Sequence, residues 1–168
     1  MSEPTGTTAP TKTTPLLDMH GFLEAQRHER YRAFIVHGPP GKGKTAFARK
    51  MAALTNGAYI DVLATVAGTP ALAADVDILD AGFLKRLALD AVRAGATVVI
   101  LDEFDFLLPI WGGDLSSLVE LVRKLSVTET QAIIGFVMQT TPVLETLGLA
   151  SSAGQSRILR LDEIQGLK

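Results

Sequence analysis

An α/β fold is predicted, with five strands in one mostly parallel sheet and helices over both of its faces. Short, all-apolar, β-branched runs such as residues 97–101 and 132–138 suit strands buried on both sides. Stretches of helical period separate these runs. The alternation of the two implies right-handed crossovers between parallel neighbours. At 168 residues, 47% of them hydrophobic, the chain can fill one core, and two full domains are not expected.

The elements follow in order. Residues 1–15 are mostly Thr, Pro and Gly without apolar periodicity, so they read as a disordered tail ahead of a domain over 16–168. Leu16 to Arg30 reads as a short amphipathic helix interrupted at Gly21, and Arg32 to His37 as the first strand. A helix from Lys44 places Phe47, Met51 and Leu54 on one stripe. Ala58 to Val62 is a second strand, and Gly68 and Pro70 break up the weakly patterned stretch after it. Asp80 can cap a helix with Phe83, Leu84, Leu87 and Ala91 on one face, and Gly95 can stop it. After the strand at 97–101, a helix following Asp114 carries Leu115, Leu118, Val119, Val122 and Leu125 on one side. The strand at 132–138 precedes a short helix begun by Thr141 and Pro142, and Arg157 to Leu161 forms the last strand.

Charge and composition exclude several function classes. Sixteen Lys plus Arg against 18 Asp plus Glu leave a net charge of −2, without the basic excess that phosphate neutralisation alone requires. Any nucleic-acid contact is therefore expected to be local or to come from a partner. The chain has no cysteine, which removes thiolate metal sites and thiol nucleophiles and suits a reducing cytoplasm. There is no apolar leader at the start and no run approaching a membrane span, so a soluble, cytoplasmic protein is expected.

One motif carries the chemistry. Gly38-Pro39-Pro40-Gly41-Lys42-Gly43-Lys44-Thr45 follows an apolar strand and opens a helix, the context of a phosphate-binding loop. Its glycines let the backbone take positive φ and bring N–H groups close to an anion, and the helix start at Lys44, Thr45 and Ala46 adds free N–H groups and a positive dipole end. Lys44 can reach the β- and γ-phosphates, and the Thr45 hydroxyl can ligate Mg²⁺. A second piece is the run 98–101 ending in Asp102-Glu103. Ligands of open α/β sheets bind beyond the carboxyl ends of the strands, so both acids should face the loop. Asp102 suits Mg²⁺ and Glu103 suits activation of a water.

These two motifs resemble the AAA+ branch of P-loop ATPases, over about residues 31–162. The resemblance implies the three-layer P-loop NTPase sandwich, with ATP and Mg²⁺ as cofactors. It also implies a polar sensor of the γ-phosphate at the end of the strand 132–138, where Gln139 or Thr140 is the candidate. Arg157, at the start of the last strand, is similar to the family's arginine offered to a neighbouring subunit's nucleotide, the alternative being an ordinary surface arginine. The chain stops seven residues after Leu161, where AAA+ machines continue into a helical lid, so a lidless core is expected. In size and element order it is also similar to the small P-loop component of BREX phage-defence systems.

Other residues carry weaker signals. The apolar run Phe104 to Trp111 follows the two acids and either folds back on the sheet edge or, over Phe106 to Trp111, contacts a protein partner or a second copy, with Trp111 as anchor. His20, His28 and His37 lack metal-ligand spacing, and His37 suits packing or hydrogen bonding. Arg27, Arg30 and Arg32 are diluted by Glu24 and Glu29 and read as a solvated face. The expected function is a slow or partner-stimulated Mg²⁺-dependent ATPase that switches protein contacts, in a DNA-related or phage-defence setting. A small-molecule kinase and a nucleotide-dependent binding module with negligible turnover are the alternatives. Preference for ATP over GTP rests on the resemblance alone.

Overall fold

The computed structural model describes residues 15–152 and 154–165. The tail expected over 1–15 lies outside them apart from Pro15, as do residues 166–168. The strands are β1 (Leu17–Asp18), β2 (Ala33–Gly38), β3 (Ala58–Asp61), β4 (Val98–Asp102), β5 (Ile133–Gln139), β6 (Ile158–Arg160) and β7 (Ile164–Gln165). The helices are α1 (Met19–Gln26), α2 (Lys44–Leu54), α3 (Val62–Ala67), α4 (Pro70–Ala74), α5 (Ala81–Arg93), α6 (Ser116–Lys124) and α7 (Pro142–Thr146). Five strands form one sheet in the order β3-β4-β5-β2-β6. Every pairing in it is parallel.

The sheet is covered on both faces, which is why its central strands read as unbroken apolar runs. Phe34, Val36, Ile100, Ile133 and Val137 point into one core with Met19, Phe22 and Leu23 of α1 and Ala48, Met51 and Ala52 of α2. Ala33, Ile35, Val99, Leu101, Ile134 and Phe136 point into the other, against α5 and α6. Gly135 is required at the centre of β5. A Cβ there would meet Phe34 Cζ at 2.6 Å and Ile100 Cδ1 at 2.9 Å, so the missing side chain makes room for the Phe34 ring.

The local signals held for α5 and α6. Asp80 accepts the N–H of Phe83 at the start of α5, Gly95 takes φ +108° after its end, and the five expected apolar residues of the α6 face are all buried. Gly68 caps α3 and Pro70 opens α4, so the stretch after β3 does break where expected.

Two expectations are corrected. The first helix is shorter than 16–30, because Leu17–Asp18 pairs in parallel with Ile164–Gln165. Gly21 does not interrupt it: Asp18 caps this helix through the N–H groups of His20 and Gly21, and a Cβ at Gly21 would press on that carboxylate at 2.9 Å. On α2 the buried stripe is Ala48, Met51 and Ala52, with Phe47 at its margin. The small alanines let the helix lie close on the sheet, and Leu54, 59% exposed, is left outside.

Phe104 to Trp111 takes the first of its two readings. The chain turns through a single 3₁₀ turn at Asp105–Leu107 and folds back on its own core. Phe104 and Leu107 are fully buried, and Phe106, Leu108 and Trp111 pack against the same cluster. The Trp111 indole N–H donates to the Leu79 carbonyl at 2.8 Å. Pro109 and Ile110 are exposed while Phe106, Leu108 and Trp111 are half-buried, so this packing disfavours the partner contact over Phe106 to Trp111. Among the described residues, no helix is long and apolar enough to cross a membrane.

Candidate functional site

The carboxyl ends of the central strands line up at one end of the sheet. Gly38, the last residue of β2, is the Cα partner of Gln139, the last residue of β5. Asp102, the last residue of β4, is the partner of Asp61 at the end of β3. A cleft of about 370 Å³ opens there, lined by Pro40, Gly41, Gly43, Lys44, Thr45, Ala46, Asp102, Glu103, Asp105 and Gln139. A larger groove of about 610 Å³ runs between the starts of α5 and α6. Its charged residues are already engaged, since Asp80 caps α5 and Glu120 pairs with Lys124.

The loop after β2 has the backbone that an anion cradle needs. Gly41 and Gly43 take φ +70° and +86°, and a Cβ at either position would meet nothing within 4 Å, so it is the left-handed backbone and not crowding that calls for glycine there. Gly43 is the N-cap of α2 without a side-chain partner, which leaves the first N–H groups of the helix to an anion. The Lys44 ammonium donates to the Pro39 carbonyl at 2.9 Å, folding the side chain back over the loop. Pro39 and Lys42 do not line the cleft, and Gly38 lies beneath it, with Leu161 3.2 Å from the position a Cβ would take.

The acids approach from the neighbouring strand. Glu103 follows β4 with φ +59°, a left-handed conformation rare outside glycine and costing roughly 1–2 kcal/mol. That turn aims its carboxylate at α2, where Oε1 accepts the Thr45 hydroxyl at 2.8 Å. Asp102 is 2% exposed, and its Oδ2 accepts the Tyr59 hydroxyl at 3.1 Å. Burial and the neighbouring Asp102 push the Tyr59 phenol up to about 12, so it stays a donor.

Gln139 and Thr140 separate into different roles. Gln139 lines the cleft, and its backbone N–H donates to Asp105 at 2.8 Å. Thr140 instead shares a 3.0 Å hydrogen bond with His37 Nδ1, beneath the loop. His37 is therefore a buried hydrogen-bonding residue. Burial, and then Arg160, hold its pKa below the ordinary value.

Two residues at the site went unread in the sequence. Asp105 lines the cleft three positions after Asp102, and burial raises its carboxyl pKa against the opposing pull of the Gln139 N–H and Lys44. Its signal, an acid closely following the pair, was masked by the apolar run around it. Tyr59 had no local signal, because its partner is set by the β3–β4 register.

Arg157 is corrected outright. It is 4% exposed, and one guanidinium nitrogen donates to the carbonyls of Ala33 (2.8 Å) and Val122 (2.7 Å), so its charge is committed inside the domain rather than facing solvent or a neighbour.

The donor set suits a magnesium nucleotide. Hard oxygen donors from Thr45, Asp102 and Glu103 stand beside an open loop with free helix N–H groups. No cluster of three or more His, Cys, Asp or Glu able to hold a metal by itself occurs among the described residues. Residues 34–146 match the model of the ATPase family associated with various cellular activities (AAA). No curated protein matches the chain, so the narrower likeness to a BREX component rests on size and element order alone.

Proposed function

The chain belongs to the AAA family of ATPases, and from that premise we propose that it binds ATP with Mg²⁺ in the cleft above β2 and β4 and hydrolyses it. The observation that carries this reading is the meeting of Lys44, Thr45, Asp102, Glu103 and Gln139 on one cleft, contributed by α2 and by the ends of β4 and β5.

Each residue has a part. Within the loop from Gly38 to Lys44, the N–H groups of Gly41, Gly43 and Lys44, with those of Thr45 and Ala46 at the start of α2, receive the phosphates. Lys44 leaves the Pro39 carbonyl to meet the β- and γ-phosphates. Thr45 and Asp102 hold Mg²⁺, which when bound neutralises charge on the phosphates. Glu103 releases the Thr45 hydroxyl and accepts a proton from the attacking water. Gln139 reaches the γ-phosphate end of the cleft. A carboxylate placed to deprotonate a nucleophile favours turnover over the pure-binding alternative.

Turnover is slow without help. Among the described residues, Lys44 is the one cation lining the cleft, against Asp102, Glu103 and Asp105. A protein partner, or a second copy, that adds positive charge would raise the rate, and hydrolysis would in turn switch the contact. The setting is cytoplasmic by cysteine usage, and DNA-related or phage-defence by resemblance.

Lys44→Ala tests the reading. Removing the cation should abolish ATP binding or weaken it strongly, with the fold intact, since the side chain is outside both cores. Titration calorimetry with Mg²⁺ present checks this, and unchanged affinity would overturn the assignment.

A further inference from the structure

We propose that Tyr59 is a positioning residue for Asp102, and that Arg49 holds the tyrosine ring in place. The proposal rests on the Mg·ATP reading above and names a residue outside the loop and the acid pair. Tyr59 is the Cα partner of Ile100 in the β3–β4 ladder. Strand side chains alternate, so Ile100 and Asp102 project on one face of β4, and Tyr59 stands diagonally across from Asp102 on that face.

The contact is a hydrogen bond rather than packing alone. The phenol donates to Asp102 Oδ2 at 3.1 Å, while Asp102 is 2% exposed. One carboxylate oxygen thereby has a partner, which restrains rotation of the group. Above the ring, the Arg49 guanidinium carbon lies 4.8 Å from the centroid, a cation–π contact. Arg49 belongs to α2, the helix that starts with Lys44 and Thr45. Tyr59 thus ties the helix that carries the hydroxyl donor to the strand that carries the carboxylate, and sets the spacing of the two groups assigned to Mg²⁺. Nearby Asp61 does not compete, because its Oδ1 accepts the N–H of Ala64.

A tyrosine needed only for packing would be replaced by phenylalanine without loss. The test therefore uses Tyr59→Phe and Arg49→Met in the full chain, with a fluorescent ATP analogue titrated in EDTA and then across a Mg²⁺ series. Partners of a metal-holding group typically change metal affinity by 10–100-fold, so for Tyr59→Phe the half-saturating Mg²⁺ concentration should rise about tenfold while EDTA affinity stays within about twofold. Arg49→Met keeps the hydroxyl but frees the ring, and should shift Mg²⁺ dependence in the same direction by less. An unchanged Mg²⁺ half-saturation in Tyr59→Phe overturns the proposal. So does an equal loss with and without Mg²⁺, the mark of a merely structural residue. If the unsubstituted protein shows no Mg²⁺-dependent binding, the nucleotide reading falls as well, and that result is distinct from a failure of Tyr59 alone.

Discussion

Arg157 and Glu103 show how much a single side chain's surroundings decide. An arginine ahead of the last strand can be sorted by residue type, but only the packing decides whether it faces solvent or the interior. Here it joins the start of β2 to α6 through the carbonyls of Ala33 and Val122. Burial lowers its pKa from the ordinary value. Replacing it by methionine would keep much of the volume and orphan both carbonyls. Arg157→Met should therefore lower unfolding stability by about 3 kcal/mol in denaturant melts and leave nucleotide affinity unchanged. A stable variant that lost turnover would restore the catalytic role that its burial argues against. Glu103 was readable in type and place, yet its left-handed backbone and its bond to Thr45 were not, since no local signal announces positive φ at a glutamate.

Helices and strands were legible where local chemistry sets them. The Asp80 cap, the Gly95 stop and the five-residue face of α6 are short-range features, and each appears as read. The β1–β7 pair was not legible, because two residues near one end of the chain meet two near the other and neither segment has strand length. The loop after β4 stood between two readings, and its folded-back form follows from burial of Phe104 and Leu107 and from the Trp111 bond to Leu79. Trp111→Ala should accordingly lower stability by about 3 kcal/mol. Ile110→Ser, at a side chain 38% exposed, should change it by only about 0.5 kcal/mol. Thermal melts of the two variants beside sedimentation runs check this. Lost self-association with full stability in Trp111→Ala would contradict the packing described.

At the scale of the molecule, the sheet order β3-β4-β5-β2-β6 brings the loop after β2 beside the acids at the end of β4 although about 60 residues separate them. The parallel sheet was legible because its strands are apolar on both faces, and so was the gathering of Lys44, Thr45, Asp102 and Glu103 on one cleft, because motif and strand end coincide. The order of strands and the Tyr59–Asp102 register were not, since they belong to the ladder rather than to any segment. If this arrangement makes an ATPase, binding and turnover must separate at Glu103. Phosphate release and bound nucleotide should be measured together for the unsubstituted protein and for Glu103→Gln, both with Mg·ATP. The expected result is comparable ATP binding in both, slow release of phosphate by the first, and a rate lower by about 10²-fold or more in the second. Equal rates in the two proteins would contradict the assignment of Glu103 and, with it, the hydrolytic reading of the cleft.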